Sequence, residues 1–288
     1  MSYTEIQQVA AVVVWYEPDL TEVRKSILTY SEQVGKVFII DNSSQSKQYI
    51  HETIALEINN SQYVPLGKNY GIAKALNVGF KLANSEGYKY VLTMDQDSSA
   101  TIDMVHKLVK VMRKRQPLCG IAAAQPDTPQ RSLRVYDGIT EMESVIASGN
   151  LVLMEAYLKV GGFKEWLFID YVDCWFSLDI RRAGYKIVQV NSAILIHNLG
   201  NIKQKTLMGI KMFPTNHNPV RFYYISRNRL YTRKEFKHIF PEFFRDEFLN
   251  YIKFTVKMLL FEKLKFSKIK MMIKGRRDFY KNKTGVLS

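Results

Sequence analysis

Tyr90-Val91-Leu92-Thr93-Met94-Asp95-Gln96-Asp97 is the stretch that decides the fold. The apolar run has the length and composition of a buried strand, and it delivers two carboxylates, one residue apart, into a loop. An open α/β sheet binds its ligands outside the carboxyl ends of its strands, so Asp95 and Asp97 leave the sheet where a ligand would sit. Hard divalent cations such as Mn²⁺ or Mg²⁺ take oxygen ligands, and a bound cation is a common way to hold a diphosphate. A solvated turn capping the helix expected from Thr101 is the plainer reading of the triplet alone. The surrounding chain decides between them.

Upstream, Val9 to Trp15 is a valine-rich apolar run bounded by Glu17-Pro18-Asp19, followed by helical spacing from Leu20 to Val34. A second run, Lys36 to Ile40, ends in Asp41-Asn42-Ser43-Ser44. Tyr63 to Leu66 reads as a third strand before a helix from Tyr70 to Ala83. Downstream the pattern predicts a helix over 101–115, a strand over 120–124, a polar loop over 127–131, and strands near 133–136 and 144–153. A helix over 173–183 and a strand over 185–195, with His197 beyond it, complete the alternation. Strands alternating with helices imply an α/β fold whose central sheet is mostly parallel, with right-handed crossovers. From about residue 205 the chain reads as a mainly helical extension.

The 288 residues, 47% of them hydrophobic, suffice for one large α/β domain with a small extension and exclude wholesale disorder. Cys119 and Cys174 are far apart inside apolar stretches, which supports neither a disulfide framework nor a CxxC metal site and predicts a reduced, cytosolic chain. No charged region followed by an apolar core opens the sequence, and no run of about 18 apolar residues occurs, so neither a signal peptide nor a membrane span is expected. The net charge of +14 is concentrated toward the C-terminus, where Lys253 to Lys283 is dense in Lys and Arg. Such asymmetry suggests an anionic partner surface. Zinc-finger spacing, a basic zipper and an RNP motif are all missing, so nucleic acid is not expected. An anionic membrane fits better: from Phe243 to Ile273, Phe244, Phe248, Tyr251, Ile252, Phe254, Val256, Leu259, Leu260, Leu264, Phe266, Ile269 and Ile273 alternate with lysines, as in an interfacial amphipathic helix. A helix packing its apolar face on the core is the alternative.

The residues that carry a family likeness now stand in order: Val12 to Pro18, Ile39-Ile40-Asp41-Asn42-Ser43-Ser44, Asn69-Tyr70-Gly71 through Gly79, Met94-Asp95-Gln96-Asp97, Ser148-Gly149-Asn150, Gly161-Gly162-Phe163, Phe168-Ile169-Asp170-Tyr171-Val172-Asp173, and His197-Asn198-Leu199-Gly200. With these blocks the chain resembles an inverting glycosyltransferase of family 2 with the GT-A fold, and specifically the bacterial rhamnosyltransferase branch. The similarity covers about residues 9 to 200. It implies a GT-A catalytic domain over 1–204 and a basic helical extension over 205–288.

The resemblance implies roles residue by residue. Asp41 is the aspartate that accepts the imide N–H of a pyrimidine base; from the residues alone an Asx-turn satisfying local N–H groups is as good a reading. Asn69 and Gly71 shape the nucleotide pocket, Gly71 by letting backbone approach closely, although Asn69 also suits a helix cap. Glu17 belongs to the nucleotide-binding loop after the first strand. Asp95 contacts the ribose or metal-bound water. Asp97 coordinates the divalent metal, Mn²⁺ or Mg²⁺, with His197 near the same metal or the diphosphate. A lone His after a strand also has a structural reading. Asp173 is the general base that accepts the acceptor hydroxyl's proton, with Asp170 as the other candidate or as an orienting group for the acceptor sugar. As a first-turn residue, Asp173 would be favoured in its ionised form by the helix dipole. The chain departs from the relatives after Asp173, carrying Cys174 where they carry an acid and Asp179 where they carry Arg.

The resulting expectation is a metal-dependent transferase that moves a sugar, by preference L-rhamnose from dTDP-L-rhamnose, with inversion onto a hydroxyl of a glycan or lipid-linked oligosaccharide. It would serve surface polysaccharide synthesis at the inner face of the cell membrane. A hexosyltransferase using a UDP-sugar, a nucleotidyltransferase, and a non-catalytic glycan or membrane-surface binding module are the alternatives. The nucleotidyltransferase lacks its Gly-rich basic loop, since Trp15-Tyr16-Glu17-Pro18-Asp19 offers neither Gly nor Lys.

Overall fold

The computed structural model describes residues 6–115, 117–128, 133, 135–197, 205–207, 210–212, 214 and 216–287. The chain divides into two compact units, Met1–Glu165 with Asp173–Asn198, and Trp166–Val172 with Leu199–Ser288. The sequence boundary at 204/205 falls at the edge of residues 198–204, outside the described residues.

In the first unit β1 (Val9–Trp15) is buried along its whole length, the mark of a parallel central strand covered on both faces. It pairs in parallel with β2 (Lys36–Asp41) on one side and β4 (Tyr90–Asp95) on the other, and β3 (Ser61–Pro65) extends the sheet beyond β2, again in parallel. The strand order is β3-β2-β1-β4-β8-β6-β9-β5, with β7 also on β9. Here β5 is Ser98–Ala100, β6 Cys119–Asp127, β7 Ile139–Glu141, β8 Asn150–Leu153 and β9 Lys186–His197. Helices α1 (Leu20–Leu28), α2 (Gln48–Leu56), α3 (Ile72–Ser85), α4 (Met104–Lys114), α5 (Met154–Val160) and α6 (Val172–Arg182) follow the strands. This is the expected α/β sheet, mostly parallel, with β8 inserted antiparallel between β4 and β6.

Several local expectations change. The strand expected near 133–136 is absent from Leu133, Val135 and Tyr136, and residues 129–132 and 134 lie outside the described residues. The strand expected over 144–153 is reduced to β8, because residues 144–147 are irregular and Ser148-Gly149 form a turn against Asp95. The short β5 and β7, and helices α2 and α5, were not anticipated.

In the second unit, α7 (Pro219–Phe236), α8 (Pro241–Phe261) and α9 (Lys265–Tyr280) confirm a mainly helical region, preceded by a two-stranded antiparallel ribbon of β10 (Lys205–Leu207) and β11 (Ile210–Met212). The amphipathic run from 243 to 273 is two helices, broken where Leu264 takes a left-handed backbone with φ of 56°. The apolar face expected to pack on the catalytic core packs instead within the unit, α8 against α7. Along α8, Phe244, Glu247, Tyr251, Phe254 and Met258 recur at the spacing of one helix face, with Phe254 stacked on Phe222 at 5.3 Å and Glu247 paired to Arg229 at 2.7 Å. Phe248, Ile252, Val256, Leu259, Leu260, Leu264, Phe266 and Ile273 of the run stay exposed, and Ile269 is half-buried.

Candidate active site

Because β1, β2 and β4 are parallel, their ends reach one edge of the sheet. Asp41 is the register partner of Trp15, and Asp95 that of Val14. Two strand spacings separate the two aspartates, about 10 Å between Cα atoms.

The loops leaving this edge are tied to one another. The Gln96 amide, at the centre of the triplet, grips the backbone of Tyr16 from both sides: Tyr16 N–H donates to Oε1 at 2.8 Å and Nε2 donates to Tyr16 C=O at 3.3 Å. Glu17 follows with a left-handed φ of 46°, and its N–H donates to Ser43 Oγ at 2.8 Å. The Glu17 carboxylate is engaged by Lys47, whose ammonium holds it below the usual carboxylate range, and by Ser44 Oγ at 3.4 Å. Asn42 joins the next loop: its Nδ2 donates to Asn69 Oδ1 at 3.0 Å and its Oδ1 accepts Tyr70 N–H at 2.8 Å. Asn69 Oδ1 also accepts Gly71 N–H at 2.9 Å, so Asn69 shapes the approach to α3 while Gly71, at φ of 86°, is the cap residue itself. Only glycine adopts that backbone without cost.

Asp41 is fully buried and saturated. Ser43 N–H donates to Oδ1 at 2.9 Å, the expected Asx-turn, while Oδ2 meets His51 Nδ1 at 2.6 Å and accepts the Tyr63 hydroxyl at 2.5 Å. Both His51 and Tyr63 stand against Trp15, at ring distances of 6.1 and 6.3 Å. His51 and Tyr63 escaped the sequence reading, since partners 10 and 22 residues away leave no periodic signal.

Asp95 is half-buried and Asp97 exposed. Asp95 N–H donates to Ser148 Oγ at 3.0 Å, and Gly149 N–H to Thr93 C=O at 2.8 Å, so the Ser148-Gly149-Asn150 block is the floor of the triplet. Gly149 has φ of 75°, and a Cβ there would lie 2.9 Å from Leu195 Cδ2. Burial, and after it the Asp95 charge, pushes the Tyr30 hydroxyl up. β5 begins directly after Asp97 and runs antiparallel to β9, with Ser98 in register with His197. The backbone of His197 therefore lies beside the triplet. Its side chain, and Asn198-Leu199-Gly200, lie outside the described residues.

Asp173 sits in the first turn of α6, half-buried, its Oδ1 accepting Cys174 N–H at 2.8 Å. Asp179, where the resemblance implies Arg, is buried: it accepts Trp175 Nε1–H at 2.9 Å and is paired with Arg182 and with Lys164 at 3.4 Å. Its role in this chain is to anchor α6.

Asp170 belongs to the second unit and is committed there. Arg221 grips it in a fork, Nη2 to Oδ1 at 2.5 Å and Nε to Oδ2 at 3.3 Å. Burial raises the Asp170 carboxyl and the guanidinium partly offsets this. The segment Trp166–Val172 holds three non-glycine residues in left-handed backbone, Phe168, Asp170 and Tyr171, with φ of 67°, 60° and 64°. Such geometry persists only where surroundings over-determine it. Asn228 supplies that: its buried Nδ2 donates to the carbonyls of Leu167, Ile169 and Asp170 at 2.9, 2.8 and 3.0 Å, and Arg227 donates to Trp166 and Leu167 carbonyls at 3.3 Å.

Among the described residues, no group of three or more His, Cys, Asp or Glu could hold a metal ion by itself. Two carboxylates nevertheless fit a hard cation shared with a diphosphate, which keeps only one or two protein carboxylates and takes its remaining oxygens from phosphate and water.

Residues 11–152 match the sequence model described as Glycosyl transferase family 2. A dTDP-rhamnosyl transferase RfbF of Shigella flexneri is 29% identical over 237 residues, 76% of this chain and 77% of that protein. Among solved structures, GalNAc-T7 with UDP, GalNAc and Mn²⁺ superposes with a TM-score of 0.61 at 13% identity over 94% of this chain, which spans only 55% of that one. Staphylococcus aureus TarS 1-349 with UDP-GlcNAc gives a TM-score of 0.59 at 14% identity, over 96% of this chain and 81% of that one. A mannosyltransferase of Pyrobaculum calidifontis with GDP-Man and Mn²⁺ gives 0.57 at 14%, over 79% and 63%. These structural likenesses establish the GT-A fold. With the ordered motifs at the sheet edge, the match identifies residues 11–152 as a glycosyl transferase family 2 domain.

Proposed function

We propose that the protein is an inverting glycosyltransferase that moves one sugar from a nucleoside diphosphate donor to a hydroxyl of a glycan acceptor, with dTDP-L-rhamnose as the preferred donor. The observation that carries this reading is the convergence of the Asp95-Gln96-Asp97 loop, the Glu17 loop and the Asn42–Asn69 pair on one edge of parallel strands, bound to each other by side-chain amides. A pocket for an extended anionic donor needs several loops held in fixed relation.

Asp97 would hold a divalent cation, Mn²⁺ or Mg²⁺, with His197 near the same metal or the diphosphate and Asp95 on the ribose or a metal-bound water; when bound, the cation neutralises charge on the departing diphosphate. Glu17, Asn69 and Gly71 would border the nucleotide. Asp41, saturated by Ser43, His51 and Tyr63, sets the wall behind the base. Asp173 suits the general base better than Asp170. Its carboxylate is half-exposed at a helix N-terminus, whereas both oxygens of Asp170 are held by Arg221. In the single displacement, Asp173 takes the hydroxyl proton as the new C–O bond forms and the bond to the diphosphate oxygen breaks on the opposite face.

The acceptor is proposed to be a lipid-linked oligosaccharide at the inner face of the membrane. Among the described residues no helix is long and apolar enough to cross a membrane, so contact would be peripheral and anionic lipid would be met by the basic C-terminal unit.

Release of nucleoside diphosphate from dTDP-rhamnose, UDP-glucose, UDP-galactose and UDP-N-acetylglucosamine tests the reading, with Mn²⁺ or EDTA, for wild type, Asp97→Ala and Asp173→Asn. Metal-dependent release from one donor, lost in both variants, is expected. Absence of release from every donor with membrane extract present would return the chain to the binding-module alternative, and preference for a UDP-sugar would replace rhamnose.

A further inference from the structure

The C-terminal unit carries a cleft of about 520 Å³ lined by Leu230, Arg233, Lys234, Lys237, His238 and Phe279. Its polar walls are cationic, at the C-terminal turn of α7 and beyond, and its floor is apolar and aromatic. None of the lining residues is acidic; Glu235, Glu242 and Asp246 lie outside the lining.

A second observation concerns α8. Its inward face is used by Phe244, Glu247, Tyr251, Phe254 and Met258, yet Phe248, Leu249, Ile252, Val256, Leu259 and Leu260 are exposed, Leu249 at 51% and Leu260 at 54%. The two features are joined, because the Arg233 guanidinium lies over the Phe248 ring at 5.9 Å. Beyond α8 the exposed apolar row continues through Leu264 and Phe266, the latter 90% exposed.

A third observation is the sign of the charge. The acids between 248 and 288 are Glu262 and Asp278, and both are buried, Glu262 paired with the buried Lys268 at 2.6 Å and Asp278 accepting the Tyr223 hydroxyl at 3.0 Å. The exposed charges from 248 to 287 are thus all positive among the described residues. A second copy of this chain would meet cation with cation, whereas an anionic bilayer offers phosphates at its surface and hydrocarbon beneath. The cationic cleft and the apolar row adjoin at Arg233 and Phe248, so one such surface could engage both.

We propose that the cleft of Arg233, Lys234, Lys237 and His238 binds the phosphate of an anionic phospholipid while the exposed row of α8 seats in the bilayer interface. This deepens the membrane contact proposed above by naming a head-group site, and it does not depend on the transfer chemistry.

Co-sedimentation with phosphatidylcholine vesicles, with and without phosphatidylglycerol, tests it. Wild type should pellet with the anionic vesicles and remain in solution with the neutral ones. Each unit of charge near an anionic leaflet is worth about fivefold in partitioning. Lys234→Glu with Lys237→Glu should therefore lower binding at least a hundredfold, and Leu249→Ser with Ile252→Ser and Val256→Ser should also release the protein. The matched control, Lys270→Glu with Lys281→Glu, changes the same charge outside the cleft and should cost far less. Equal losses in the two charge pairs would overturn the head-group site, and so would binding to neutral vesicles or to none. Donor cleavage measured without vesicles is expected to be unchanged in all these variants. Its absence in wild type would strike the transferase reading and leave the vesicle result standing.

Discussion

Replacing Gln96 with Ala isolates the middle residue of the Asp95-Gln96-Asp97 triplet, which touches neither carboxylate's role directly but holds Tyr16 by both backbone groups, at 2.8 and 3.3 Å. A net hydrogen bond is worth about 0.5–1.5 kcal/mol, and the longer bond falls at the lower end, so the pair is worth about 1.5–2 kcal/mol. Tyr16 and Glu17 would lose their fixed position, and Glu17 its reason to keep a left-handed φ of 46°. Donor binding must then restore the loop, and at about 1.4 kcal/mol per decade the affinity should fall roughly 10- to 30-fold. Steady-state donor cleavage should show this in KM, with kcat at saturation within about threefold, because Asp97 and Asp173 are untouched. Titration with the nucleoside diphosphate and Mn²⁺ should show the same loss. Gln96→Glu keeps the acceptor for Tyr16 N–H and loses the donor, so it should recover part of the affinity. An unchanged KM in Gln96→Ala would refute the idea that this amide assembles the pocket, and a collapse of kcat at constant KM would move Gln96 into the chemistry itself.

Gly149→Ala combines a left-handed φ of 75° with a Cβ 2.9 Å from Leu195 Cδ2; a loss of about 2–4 kcal/mol in urea unfolding is expected, and donor cleavage should fall as Ser148 shifts beneath Asp95. Asn228→Ala strips donors from the buried carbonyls of Leu167, Ile169 and Asp170. It should cost about 3 kcal/mol and speed amide exchange across 166–172, where full protection would show the clamp to be dispensable. His217 is held neutral, its pKa lowered to about 4 by burial and by the neighbouring Arg221, whose Nη1–H donates to Nδ1 at 3.2 Å. The unfolded chain therefore binds this proton more readily than the folded one. Stability should be full above about pH 6.5 and fall by about 2–3 kcal/mol as pH drops toward 4, at roughly 1.4 kcal/mol per unit; the same slope in His217→Asn would assign the loss to another group.

Much of the site was legible because its elements are simple. β1, β2 and β4 are apolar runs covered on both faces, and β2 and β4 each end in an aspartate, so Asp41, Asp95 and Asp97 could be placed at one edge from pattern alone. The details that turn these ends into a site were not legible. His51 and Tyr63 saturate Asp41, and Gln96 reaches Tyr16 across 80 residues. No local propensity encodes such pairs. β5, three residues long, carries no periodic signal, yet its register brings the backbone of His197 beside the triplet.

The C-terminal unit shows the same division from the other side. Arg227-Asn228-Arg229, three polar residues in a row, is buried: Arg227 and Asn228 donate to carbonyls of the left-handed segment 166–172, and Arg229 pairs with Glu247. The apolar run of 243–273 reads as one amphipathic helix, and only packing separates the residues that hold α8 to α7 from those left exposed.

By itself, then, the sequence determined the class of the sheet, the edge at which its ligand residues emerge, the family likeness and the sign of the C-terminal charge, since all of these follow from patterning along the chain. Tertiary structure alone decided how deeply each carboxylate is buried and which distant donors reach it: Asp41 is held by His51 and Tyr63, Asp170 by Arg221 and Asp179 by Trp175 and Arg182, while Asp97 is exposed. The physical reason is that a carboxylate's role depends on its burial and on donors brought from distant segments, and both arise only when the chain closes on itself.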